Sequence, residues 1–202
     1  MSVVGGRVQV VDEREFWRLI DRLPWTDGSP DDRAAWLTGQ LAALPAGEVV
    51  AFQTLFDAAA ARLATWRVRG AAHRVLGWCT DDAFGDFQAW VIGQGRATWS
   101  RVATDPDALA TLPAVRALAG RPVPDWADDE WPAWESLAYA ADAAYDRVLG
   151  YRANIYAASH ETAPSPPPAT YTDDRWDFDD PEAAARHLPK LSRLFPVTRR
   201  AA

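Results

Sequence analysis

The sequence holds a single cysteine, Cys79, among 202 residues, so no intramolecular disulfide can form, and one free thiol fits a reducing compartment. Its three histidines, His73, His160 and His187, are widely spaced, and no His-x-x-x-His, His-Glu-x-x-His or paired-cysteine element occurs. That leaves no metal motif to read. No stretch reaches the ~18 to 20 uninterrupted apolar residues of a membrane span, and the N-terminus lacks a charged segment followed by an apolar one. The expectation is a cytoplasmic protein without membrane, metal or cofactor. Lysine is also scarce, because Lys190 stands alone beside 20 arginines. Positive charge is in deficit overall, with 28 acidic against 21 basic residues and a formal charge of −7. A duplex-binding domain gains affinity from a basic face, so this balance argues against nucleic acid as the main partner.

What is abundant is aromatic: 11 Trp, 7 Phe and 5 Tyr, enough to build a core at this length without a disulfide or a structural metal. The acidity is local. Residues 121–182 carry 14 acidic and 4 basic side chains, so the negative charge belongs to the C-terminal third. Four proline residues, Pro164, Pro166, Pro167 and Pro168, fall within 161–170 and read as an extended loop.

Helix starts punctuate the rest. Asp12 and Glu15 precede the apolar Phe16, Trp17, Leu19 and Ile20 in a capping arrangement. Ser29-Pro30, Asp105-Pro106 and Asp180-Pro181 each place a side-chain acceptor before a proline at the first helical position. Further amphipathic runs lie at Val49–Leu63, Trp66–Leu76, Asp81 towards Trp99, and Trp134–Val148. Gly93-Gln94-Gly95 interrupts the central run and should bend or end it. The reading is an all-α, single-domain bundle of about seven or eight helices. Residues 1–11 form an extended N-terminal arm, in which Val8 to Val11 alternate like one edge strand, and residues 12–202 form the helical domain.

Two sets of residues carry possible function. The first is Cys79, Asp81, Asp82, Trp90 and Gln94. A thiol and two acids meet at a helix start, where the positive end of the helix dipole favours a thiolate and His73 is a conceivable base. Gln94 follows Trp90 by four residues, which sets an amide beside an indole. The competing reading makes Thr80, Asp81 or Asp82 a helix cap and Cys79 a small core residue. The second set is Trp126, Asp128, Asp129, Glu130 and Trp131, in which indoles and acids alternate as on a surface that anchors a basic protein. Its bland counterpart is a solvated acidic face over core tryptophans. A DNA-associated role would need Arg67, Arg69 and Arg74 to form one exposed basic face.

The run Cys79-Thr80-Asp81-Asp82-x-Phe84-x-x-Phe87-x-x-Trp90-x-Ile92-x-x-Gly95-Arg96, with Trp66 and Gly70-Ala71-Ala72 before it and Asp105-Pro106-Asp107 after it, resembles the bacterial domain of unknown function 4240 family. The similarity extends to Trp176-Asp177-Phe178-Asp179-Asp180 and Leu188-Pro189-Lys190-Leu191. The resemblance implies a mainly helical bacterial cytosolic domain and brings no activity, cofactor or catalytic residue with it. The functional expectation is therefore a non-catalytic binding or regulatory module for a basic protein. The alternative is an enzyme or small-molecule binder with its pocket around Cys79 to Gln94.

Overall fold

A computed structural model describes residues 11–24, 28–162, 171 and 173–196. The expected arm, except for Val11, and residues 163–170 of the expected loop at 161–170 lie outside them, while Glu161 and Thr162 belong to a helix. Among the described residues every regular element is helical and no strand occurs. Val11 pairs with no strand; its N–H donates to Glu48 Oε2 at 2.6 Å.

The first half follows its start signals. Helix α1 (Glu13–Asp21) begins at Asp12, whose carboxylate accepts from Glu15 N–H. Helix α2 (Pro30–Leu41) opens on Ser29 in a reciprocal capping box with Asp32. Helix α3 (Ala46–Leu63) is the longest. It packs against α1 and carries the buried Val49, Phe52, Phe56 and Leu63. Helix α4 (Trp66–Leu76) is capped by Thr65, and α5 (Asp81–Gly93) by Thr80. Helix α5 then ends where the glycines begin. Gly95 takes φ +90°, a region open to glycine. Helix α6 (Arg96–Thr104) restarts with the Arg96 N–H bonded to Asp21 Oδ1 at 3.0 Å, so a residue of α1 caps a helix 75 positions away.

The second half departs from the expected count. Asp105-Pro106 does cap a helical segment, but Pro106–Thr111 is a 3-10 turn, and the α-helix α7 (Pro113–Leu118) starts again on a second proline. The expected helix from Trp134 is broken at Tyr139 into α8 (Glu135–Ala138) and α9 (Ala140–Leu149). Helix α10 (Ile155–Thr162) was not anticipated; apart from Ile155, its short run offers little apolar periodicity. The final run splits at Leu188 into α11 (Pro181–His187) and α12 (Pro189–Leu194), since Pro189 has no N–H to continue the ladder. The described chain therefore holds twelve α-helices, not seven or eight.

One apolar cluster runs from Val11 to Leu191, with Phe16, Phe52, Phe87, Leu37 and Ile92 among its most buried members. The C-terminal segment is strapped across α4. Asp173 accepts from the N–H groups of Trp66 and Arg67 at 2.7 and 2.9 Å, Arg74 donates to the Phe178 carbonyl at 2.9 Å, and Tyr171 stacks on Trp66 at 4.1 Å. Asp107, 3% exposed, holds the far end by accepting from the N–H groups of Lys190 and Leu191.

Gly70 leaves the notch under this strap, because a Cβ there would stand 2.3 Å from Trp176 Cζ2. Gly70→Ala should cost about 1–3 kcal/mol by overpacking, read as a lower urea midpoint. Gly85→Ala on α5, where a Cβ meets nothing within 4 Å, should instead gain about 0.5–1 kcal/mol. Equal effects at the two positions would contradict the close fit.

Candidate functional site

The two residue sets expected to carry function do not stay as the sequence grouped them. Asp81 and Gln94 lie at opposite ends of α5, about 20 Å apart at the helical rise. Cys79, Asp81 and Asp82 sit at its start. Trp90 and Gln94 face a groove of about 300 Å³ at its end, whose other walls include Asp129, Glu130, Trp131 and Trp134. Two of the five residues of the first set thus converge with three of the five of the second.

At the start of α5, Thr80 Oγ1 accepts from Ala83 N–H at 3.3 Å and caps the helix. Cys79 is half-buried against the core, and burial pushes its thiol up to about 11 despite the neighbouring Arg69. The dipole activation that the sequence suggested is outweighed by desolvation. Asp81 pairs with Arg69 at 2.6 Å and is otherwise exposed. His73 does not face the thiol as a base; its Nε2 lies 3.1 Å from Asp179 Oδ1. Burial, then the neighbouring Arg74, lowers the histidine below its ordinary value.

The arginines of α4 do not form one exposed basic face. Arg74 is 8% exposed, and Arg69 donates to the Tyr171 hydroxyl at 2.9 Å as well as pairing with Asp81. Arg67 reaches the His187 carbonyl at 3.3 Å. The C-terminal strap uses these groups.

The groove owes its shape to Trp134. Its backbone N–H donates to the Asp86 carbonyl at 2.9 Å, and its indole N–H donates to Pro30 O at 3.1 Å. The ring lies against Gly93, where a Cβ would come within 2.5 Å of Cζ3. The Arg33 guanidinium covers the Trp134 ring with its Cζ 5.3 Å from the centroid. Sequence reasoning missed Arg33; it set Trp134 on a helix face and also among the tryptophans interleaved with acid, and the Trp131-x-x-Trp134 spacing was the local signal.

The opposite lip is a clasped loop. Arg121 donates from Nη1 and Nη2 to the two Glu130 oxygens at 2.6 and 2.8 Å, and from Nη2 to the Asp125 carbonyl at 2.7 Å. Glu130 Oε2 also accepts from Ala127 N–H at 2.8 Å. These bonds hold the Glu130 carboxyl down at about 2. Inside the clasp Trp126 is buried and meets Trp131 edge-on at 5.2 Å, while Asp128 and Asp129 are exposed. Of the expected interaction surface, Trp126 and Glu130 build the loop, and Trp131 and Asp129 face the groove.

A second hollow of about 190 Å³ lies between α1, α3 and α6, walled by Phe16, Trp17, Leu55 and Trp99. Its one acid, Glu13, is paired with Arg96 at 3.0 Å. No three His, Cys, Asp or Glu side chains among the described residues are grouped to hold a metal ion, and no described helix is long and apolar enough to cross a membrane.

The family model described as "Protein of unknown function (DUF4240)" matches residues 11–147; the chain belongs to this family. The match takes in both walls of the groove and stops before the strap. No curated protein and no solved structure matches the chain.

Two measurements check these assignments. Alkylation of Cys79 by iodoacetamide should be slow at neutral pH and rise with a midpoint near 11; a midpoint below about 8 would restore an activated thiolate. The folded-state carboxyl of Glu130 lies below its ordinary 4.5. The clasp therefore stabilises the loop fully above 4.5 and loses that contribution as pH falls towards about 2. The Trp131 indole signal in an NMR titration should be steady down to about 4.5 and move below it; a transition near neutrality would contradict the pairing.

Proposed function

We propose that this member of the DUF4240 family is a non-catalytic binding module that receives a basic segment of a protein partner in the groove between α5 and the Arg121–Glu130 loop. The observation that carries this reading is the convergence of Trp90, Gln94, Trp131 and Trp134 with the acidic lip at Asp129 in one concavity. Indoles supply area and a negative π-face at little entropic cost, and an acidic lip complements a cation.

Charge supports a basic partner. The segment from 121 to 182 holds 14 acids against 4 basic residues, which favours encounter with a basic surface at low salt. Asp128 and Asp129 are exposed on the lip, whereas Glu130 is consumed by its clasp. The raised thiol of Cys79 and the pairing of Asp81 with Arg69 weigh against catalysis at the other end of α5.

A fluorescein-labelled peptide rich in arginine and lysine, titrated at low salt, should bind the protein. The joint variant Asp128→Lys/Asp129→Lys should weaken it by about tenfold or more, and raising salt to about 0.15 M should weaken the native complex further. Affinity unaffected by both changes would refute the reading. Circular dichroism of the variant should be unaltered, because neither side chain supports the fold.

A further inference from the structure

We infer that the groove selects arginine over lysine: its occupant is a guanidinium-bearing side chain of the basic partner. This rests on the binding reading above and narrows it to one functional group.

The first argument is the shape of the walls. Three indoles line the groove: Trp131 is half-buried, Trp90 is 8% exposed and Trp134 3%. Flat indole surfaces favour a flat cation, since a guanidinium stacks face to face whereas an ammonium meets a ring only as a point charge. The chain itself already sets a guanidinium on this wall: the Arg33 Cζ lies over the Trp134 ring, 5.3 Å from the centroid. Arg33 lines the groove beside Trp134, and the half-buried Trp131 borders the same space.

The second argument is the set of acceptors. The Asp129 carboxylate and the half-buried Gln94 amide border the same space. A guanidinium presents five donors in a fixed planar fork and has no acceptor, so it can bond a carboxylate and an amide oxygen while its face lies on an indole. The adjacent loop already uses this chemistry, since Arg121 grips Glu130 through two parallel bonds at 2.6 and 2.8 Å. Glu130 is thereby fixed, and the free carboxylate at the lip is that of its neighbour Asp129.

The test uses three capped peptides of one sequence, differing only in whether the charged positions are arginine, lysine or glutamate. Each is titrated into the full chain while the tryptophan indole N–H signals are followed by NMR. The arginine peptide should bind about tenfold or more tightly than the lysine peptide and should shift Trp131 and Trp134. Asp129→Asn, on an exposed side chain that leaves folding intact, should reduce arginine affinity, and Trp131→Ala should abolish the preference.

Equal affinity for arginine and lysine would overturn the selectivity while leaving the basic-segment reading standing. Binding of neither would overturn both. Preference for the glutamate peptide would make Arg33 the recognising group and would also overturn both. An arginine preference that survives Asp129→Asn and Trp131→Ala, with no movement of the groove indoles, would place recognition elsewhere and overturn the inference.

Discussion

The seating of Trp134 against Gly93 is the constraint on which the groove and much of the second half of the fold depend. A helix ordinarily loses about 1 kcal/mol by carrying glycine in place of alanine. Here the missing Cβ is what lets the indole reach the α5 backbone, with 2.5 Å between ring and a would-be Cβ. The ring's N–H is satisfied by Pro30 O and its own backbone N–H by Asp86 O. One residue therefore ties the start of α2, the middle of α5 and the start of α8 together. A buried aromatic with its polar atom paired gives both area and orientation, and the α2, α5 and α8 walls of the groove inherit their spacing from it.

Acidic side chains divide into two kinds by what they accept. Asp21 caps α6, Asp107 caps α12, Asp173 caps α4, and Glu130 binds Arg121 and the Ala127 N–H. Each satisfies backbone donors that would otherwise be left at a helix or turn start. Their negative charge is spent within the chain. Asp128 and Asp129 differ, standing exposed on a loop whose shape other residues maintain. A composition count sees one acidic region; the structure separates the charges that hold it together from those that face outward.

This division marks how far the sequence could be read. Local devices were legible: the Asp or Ser followed by proline capped Pro30, Pro106 and Pro181 as expected, and the glycines after Trp90 ended α5. The all-α class followed from apolar spacing alone. Less legible were short elements with little period, such as α10, and the break at Tyr139, which no proline or glycine marks; the break at Leu188 had its local signal in Pro189. The candidate pocket was drawn too long because sequence proximity counts residues, whereas a helix separates its two ends by 1.5 Å per residue. Gln94 and Asp129 are 35 positions apart in the chain and no local pattern joins them, so their shared groove depends on tertiary packing.

The same logic decides which face of the molecule is open to another. The arginines of α4 are a concentration of positive charge, and the strap answers them with the Phe178 carbonyl, the Tyr171 hydroxyl and the His187 carbonyl, while Asp81 pairs with Arg69. Trp66 is likewise covered, by Tyr171 on one side and Arg175 on another. On the groove side Arg121 answers Glu130 and the Asp125 carbonyl, and the outward carboxylate of Asp129 borders the groove with half-buried Trp131. Satisfied polar groups offer a partner little, because every bond gained replaces one already made. Free carboxylates beside an indole offer a cation two favourable contacts at once. In the proposed binding reading, the outward carboxylate of Asp129 is the group that meets a cation, in a groove that Arg33 also lines.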